Sequence, residues 1–154
     1  MRFIKYSLML LGVIALFITL GLSYAFLDSR SAASDGKIFA SRFLSDFSDS
    51  WDPDSVKNRF TNDNLAQFES ADGARILQSM STLGRFQTMD EFSVLNHTVM
   101  TSGTVSVFEF TGQFENDDAL IRMRVIKDDG RMQVKDLALI PNGPIARKQD
   151  RAST

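Results

Sequence analysis

Cysteine is absent from the 154 residues, and histidine occurs once, as His97. The first absence excludes disulfides, cysteine-ligated zinc, a thiol nucleophile and a lipid-modified N-terminal cysteine. It leaves the compartment open, because an exported protein need not have disulfides. The second leaves any zinc site to rest on carboxylates around a lone imidazole, an unsuitable donor set, so no metal or cofactor is expected. No glycine-rich phosphate loop or nucleophile elbow occurs. An excess of positive charge is also missing. Of 17 basic residues, Arg2 and Lys5 lie in the first 27, and the other 15 face 19 acidic residues, a net −4. That argues against nucleic acid as a partner, since such domains are basic. Tryptophan and tyrosine are scarce (one and two) against 13 phenylalanines, so phenylalanine carries most of the aromatic burial.

Charge is missing altogether from Tyr6 to Leu27. This run, mostly Leu, Ile, Val, Phe, Ala and Gly, reaches the roughly 20 residues that a membrane span needs. Met1 to Lys5 forms a short basic flank and Asp28 follows the run. The positive-inside rule then puts the N-terminus in the cytoplasm and the rest outside. Residues 1–27 are therefore expected to be a signal-anchor contacting the membrane through residues 6–27, single-pass in the cytoplasmic (inner) membrane with a periplasmic C-terminal domain. The alternative is a signal peptide. Ser23-Tyr24-Ala25 is a small-x-small pattern, and cleavage near Ala25 would release the domain to the periplasm.

Residues 28–34 are small and polar and read as a linker. Ser34 can cap a helix from Asp35 to about Ser48, with Ile38, Phe39, Phe43, Leu44 and Phe47 as its apolar stripe. Asp52-Pro53 starts another helical turn, Asp capping and Pro in the first turn, with Val56 and Phe60 inward. Thr61-Asn62-Asp63 breaks it. Leu65 and Phe68 belong to a further short helix. Ala74 to Leu83 is the next, with Ile76, Leu77, Met80 and Leu83 inward and Gly84 as its stop. Strands begin near Phe86 and end at Pro141. Residues 142–154 are polar and read as a disordered tail.

The strands organise the domain. Val105 to Phe114 and Ala119 to Val125 both alternate with period two, the mark of a half-buried strand. A two-residue turn at Asn116-Asp117 sets Phe110 opposite Met123 and Phe108 opposite Val125. On the other face it sets Glu109 opposite Arg124 and Thr111 opposite Arg122. Asp129-Gly130 is the next turn, placing Val134 beside Val125. The parity then changes, because Met132 and Val134 match one face and Leu137 and Leu139 the other. A bulge at Lys135-Asp136 restores the apolar face. Upstream, a turn at Ser102-Gly103 sets Leu95 against Phe110 and His97 against Phe108. The expected fold class is α+β: an N-terminal transmembrane or signal helix, then several helices on one face of a four-stranded antiparallel meander at 35–141.

This pattern resembles the NTF2-like (cystatin-like) superfamily, in particular its small exported or membrane-anchored members. The resemblance rests on Trp51 after the first helix, on Ser81-Thr82-Leu83-Gly84 before the sheet, and on the Phe-rich strand Val107 to Phe114. It also rests on Asp128 to Val134 leading into Asp136-Leu137-Ala138-Leu139. It covers residues 35–140, and Met132 stands where many relatives have Trp. The superfamily includes isomerases, dehydratases, assembly domains and non-catalytic modules, so the resemblance implies a fold and no single function. Its enzymes place carboxylates and tyrosines inside the cone. The expected inner face here carries Phe, Val, Met, Ile and Leu, with His97 as the exception.

Four residues are candidates to line a pocket between helices and sheet: His97, Phe108, Phe110 and Met123. A lone imidazole there could act as a general base, but it would need an orienting carboxylate, and only Asp46, Asp49 and Glu69 on the covering helices could supply one. His97 is accordingly read as structural, and no catalytic residue is assigned. Asp90-Glu91, Asp117-Asp118 and Asp128-Asp129 read as solvated pairs, the latter two in turns. Glu109, Arg122 and Arg124 form a charged ladder on the outward face, and Asn96-His97-Thr98 matches a glycosylation triplet inside a strand. The leading functional reading is a non-enzymatic, membrane-tethered extracytoplasmic domain that binds or assembles with another envelope protein or with a second copy of itself. The alternative is a small-molecule-binding module, or an enzyme, using the helix–sheet cleft.

Overall fold

The computed structural model describes residues 31–141. The apolar run 6–27, the candidate cleavage site and the tail from residue 142 lie outside the described residues. Among those described, no helix is long and apolar enough to cross a membrane.

The first helix, α1, covers residues 31–48. It does not wait for Ser34: residues 31–34 are already helical, because Ala32 and Ala33 favour helix and no glycine or proline interrupts them. Ala40, Phe43, Leu44 and Phe47 are wholly buried. Ile38, expected in the same stripe, is 51% exposed. At about 100° per residue it lies nearly opposite the stripe's centre. Trp51 ends the helix in a left-handed conformation (φ 53°), its amide donating to the Phe47 carbonyl at 2.8 Å.

A 3-10 segment, Pro53–Arg59, follows. The Asp52 side chain caps it by accepting from the Asp54 amide at 3.0 Å, and Val56 and Phe60 point inward. Phe60 makes a parallel bridge to Val134, with the Thr61 amide donating to the Val134 carbonyl at 3.0 Å. Helix α2 is Asn62–Phe68 and helix α3 is Ala71–Ser81. Helix α3 begins three residues earlier than its apolar pattern suggests. Ser70 caps it, and Gly73 inside it touches the Gln67–Phe68 backbone so closely that a Cβ would collide with the Gln67 carbonyl. Met80 and Leu83 are buried as expected, but Ile76 is half-exposed. It lies at the margin of the narrow stripe formed by Gly73, Leu77 and Met80.

Strands β1 (Phe86–Met100), β2 (Gly103–Phe114), β3 (Asp118–Asp128) and β4 (Arg131–Pro141) form one antiparallel sheet in the order β1-β2-β3-β4. The domain is thus α+β, and residues of α1, α2 and the 3-10 segment share one core with the sheet. The inner face is as read from the alternation: Phe108, Phe110, Ile121, Met123, Val125 and Val134 are all buried.

The pairing within that face differs. Phe110 opposes Ile121, Phe108 opposes Met123, and Glu109 opposes Arg122 rather than Arg124. The ladder is shifted by two residues because the turn is centred on Glu115-Asn116, with the Phe114 amide bonded to the Asp117 carbonyl at 3.1 Å. Contacts from outside the hairpin hold it there. The Glu115 and Asn116 amides donate to the Arg85 and Leu83 carbonyls, and Asn116 Nδ2 donates to the Thr82 carbonyl, each at 3.0 Å.

The β3–β4 hairpin matches expectation. Asp129 (φ 45°) and Gly130 (φ 76°) form the turn, Val125 pairs with Val134, and Lys135 is the extra residue before Asp136 pairs with Arg124. Asn64, buried on α2, donates from Nδ2 to the Lys135 carbonyl at 2.7 Å and so holds the bulge.

Strand β1 departs most. Its register shifts three times, between Phe86 and Thr88, Asp90 and Ser93, and Val94 and Asn96. These irregularities put Leu95 outside the core, 51% exposed, instead of against Phe110. Glu91 adopts a left-handed conformation (φ 53°), and it is Phe92 that stacks on Phe108 and Phe110, at 5.2 and 5.5 Å between ring centres. The β1–β2 turn is centred on Thr101-Ser102, not Ser102-Gly103. Gly103 is instead the first residue of β2, where a Cβ would press on the Lys127 carbonyl.

Candidate functional site

The space between helices and sheet is filled by phenylalanine. Phe60 sits edge-on to Phe43 and Phe47 at 5.1 and 5.5 Å, and Phe68 lies 5.3 Å from Phe60. Gly36 brings α1 down onto the Phe108 ring, leaving no room for a Cβ between them. Phe108, Phe110 and Met123, three of the four pocket candidates, are buried within this packing.

His97, the fourth, is half-buried and separate from them in the ladder. It opposes Ser106, not Phe108, and its Nδ1 lies 2.9 Å from the Ser106 Oγ. The shift follows from the turn centred on Thr101-Ser102, since the ladder from Met100–Gly103 to His97–Ser106 is unbroken. Two of the carboxylates that might have oriented the imidazole are engaged elsewhere. Asp46 pairs with Arg59 at 2.7 Å, and Asp49 with Arg85 at 3.7 Å. Glu69 ends α2. Among the described residues no three His, Asp or Glu side chains gather as a metal site would require.

On the outward face the charged ladder is present with changed partners. Glu109 accepts from Arg122, at 2.5 Å to a terminal nitrogen and 3.1 Å to Nε. Arg124 reaches across to Asp136 at 2.8 Å. Gln113 donates to Asp90 at 2.7 Å. These are exposed, mutually satisfied pairs.

Two surface features bear on binding. The first is the end of β1, an edge strand. Val99 is 65% exposed there, with Met100 beside it half-exposed. The second is an open groove of about 390 Å³ lined by Asp35, Ile38, Phe39, Arg42, Arg59, Lys127, Gly130 and Met132. It lies where the start of the α1 stripe, the end of the 3-10 segment and the β3–β4 hairpin meet. Lys127 is 3.4 Å from Asp35 across it. Sequence reading missed this groove, since its cations come from three separate stretches. The one local hint is that Ile38 and Arg42, a turn apart, share the side of α1 away from the buried stripe.

No protein-family model matches the chain, and no curated protein matches it.

Proposed function

We propose that this chain is a non-enzymatic, membrane-tethered extracytoplasmic domain of NTF2-like type that docks another envelope protein. The observation that carries this reading is the filled interior. The rings of Phe43, Phe47, Phe60, Phe68 and Phe108 occupy the space that a substrate or small ligand would need. This weighs against the alternative of a pocket or enzyme site in the helix–sheet cleft. The tether rests on the uncharged run 6–27 and its basic flank.

The exposed end of β1 suits docking. A strand edge offers backbone donors and acceptors to an added strand, and alternate side chains select the partner. A photoreactive amino acid at Val99 in the full chain, in cells, should form one discrete adduct with a second protein. The same probe at Arg124, on the satisfied outward face, should not. No adduct at Val99, or the same adducts at both positions, would remove the support for docking through β1. Tethering is tested independently by fusing, after Thr154, a reporter active only in the cytoplasm. The expected result is an inactive reporter, and full cytoplasmic activity rejects the proposed topology.

A further inference from the structure

We infer that the groove beside the start of α1 binds the phosphate headgroup of an anionic membrane lipid. Its lining has three cations, Arg42, Arg59 and Lys127, against Asp35; with Asp46 paired to Arg59 from outside the lining, Arg42 is left as the excess positive charge. This is a local reversal of sign in a domain whose overall charge is negative. Arg42 enters none of the ion pairs among the described residues. Lys127 and Asp35 are each about half exposed (45% and 48%). Such a pair is weakly held in water, so a phosphate can take the ammonium from it. Guanidinium groups match phosphate oxygens with paired donors, and Lys127 adds a point charge.

The apolar part of the lining separates a lipid from a free anion. Ile38 is 51% exposed, and Phe39 and Met132 are only partly buried. Inorganic phosphate gains nothing from these side chains, whereas the glycerol and first acyl carbons of a lipid can cover them.

Chain length keeps the site near a bilayer. Asp35 is eight residues beyond Leu27, a reach of at most about 28 Å fully extended and about 12 Å as helix. This part of the argument rests on the tethered reading proposed above.

The test uses the full chain in a non-ionic detergent and measures amide hydrogen exchange of residues 35–42 and 127–132. Dihexanoyl phosphatidylglycerol, dihexanoyl phosphatidylcholine and inorganic phosphate are titrated separately. Phosphatidylglycerol should slow exchange in proportion to its concentration above Kd, by about tenfold at ten times its Kd, while the other two leave it unchanged. Arg42→Gln and Lys127→Gln should each abolish the slowing, with β2 amides as the control for folding. If Lys127→Gln fails to fold, Arg42→Gln decides, since Arg42 is exposed and enters no ion pair among the described residues. Equal slowing by phosphatidylcholine, full slowing by phosphate alone, or slowing that survives in Arg42→Gln would each overturn the inference. The soluble lipid reaches the groove whether or not the chain is anchored. A lost lipid effect with an inactive cytoplasmic reporter therefore rejects the groove alone, and the converse rejects the tether alone.

Discussion

Phe110 and Glu109 are adjacent in β2 and point to opposite faces. Phe110 is 1% exposed within the aromatic packing, and Phe110→Ala should cost about 3–5 kcal/mol, transfer plus cavity. Glu109 has a partner in Arg122, whose side chain is 60% exposed. Solvent screens such a pair, so Glu109→Ala should cost less than about 1 kcal/mol. Urea midpoints of a fragment spanning residues 28–154 check both values, and similar losses would mean the faces are misassigned. His97 belongs between them. Its bond to Ser106 and partial burial predict that His97→Gln loses about 1 kcal/mol and keeps the Val99 adduct unchanged. A folded His97→Gln protein that lost the adduct would make the imidazole functional. At this scale much was legible, since alternation separates Phe110 from Glu109. The ring that lies on Phe110 was not, because Phe92 reaches it only through the left-handed turn at Glu91.

At the scale of elements, the β2–β3 hairpin explains why register is harder to read than facing. A shift of one residue exchanges the faces, but a shift of two leaves every side chain on its own face. The apolar pattern is therefore blind to it, and only the turn decides. At Asp129-Gly130 the turn is encoded locally by residues that tolerate positive φ, so pairing and bulge both follow from the sequence. At Glu115-Asn116 neither central residue has positive φ, and the turn is held by Leu83, Arg85 and Thr82, some 30 residues away. Glycines make a paired test. Gly130 has open space around it but φ of 76°, so Gly130→Ala should cost about 1–2 kcal/mol in backbone strain. Gly73 is helical, where Ala is intrinsically better by about 1 kcal/mol. Yet its missing side chain faces the Gln67 carbonyl, an obstacle that moves only with the backbone. Overpacking costs of about 1–3 kcal/mol, or more, outweigh that gain. Gly73→Ala should therefore be destabilising despite raising helix propensity. A Gly73→Ala fragment more stable than the parent in urea would show that α2 and α3 can separate freely. Asn64→Ala tests the bulge. Leaving the Lys135 carbonyl without its donor should cost about 1–3 kcal/mol, read as a lowered urea midpoint.

For the whole molecule, the question is whether helices and sheet form one cooperative unit. The buried residues form a single cluster to which α1, the 3-10 segment, α2, α3 and all four strands contribute. The Phe60–Val134 bridge and the Asn64–Lys135 bond tie the helical half to the sheet edge by hydrogen bonds as well. Trp51 is the only tryptophan, and it stands at the junction. Its ring packs on Phe47 of α1 at 5.3 Å and on Phe114 of β2 at 5.9 Å. Its indole nitrogen donates to the Gly84 carbonyl, between α3 and β1, at 3.2 Å. Fluorescence from this one side chain thus reports helix, sheet and the connection between them. If the clustered core unfolds as a unit, the urea transition followed by Trp51 fluorescence and that followed by far-ultraviolet circular dichroism should coincide. Phe110→Ala, in the sheet, should move both transitions by the same amount. Helix α3 buries only Gly73 and Met80 and leaves Ile76 half-exposed, so any early loss would begin there. A fall in circular dichroism ahead of the Trp51 signal would place α3 outside the cooperative unit. A Trp51 transition ahead of the circular dichroism would instead mean that the helix–sheet junction opens first, and that the filled interior does not bind the two halves into one fold.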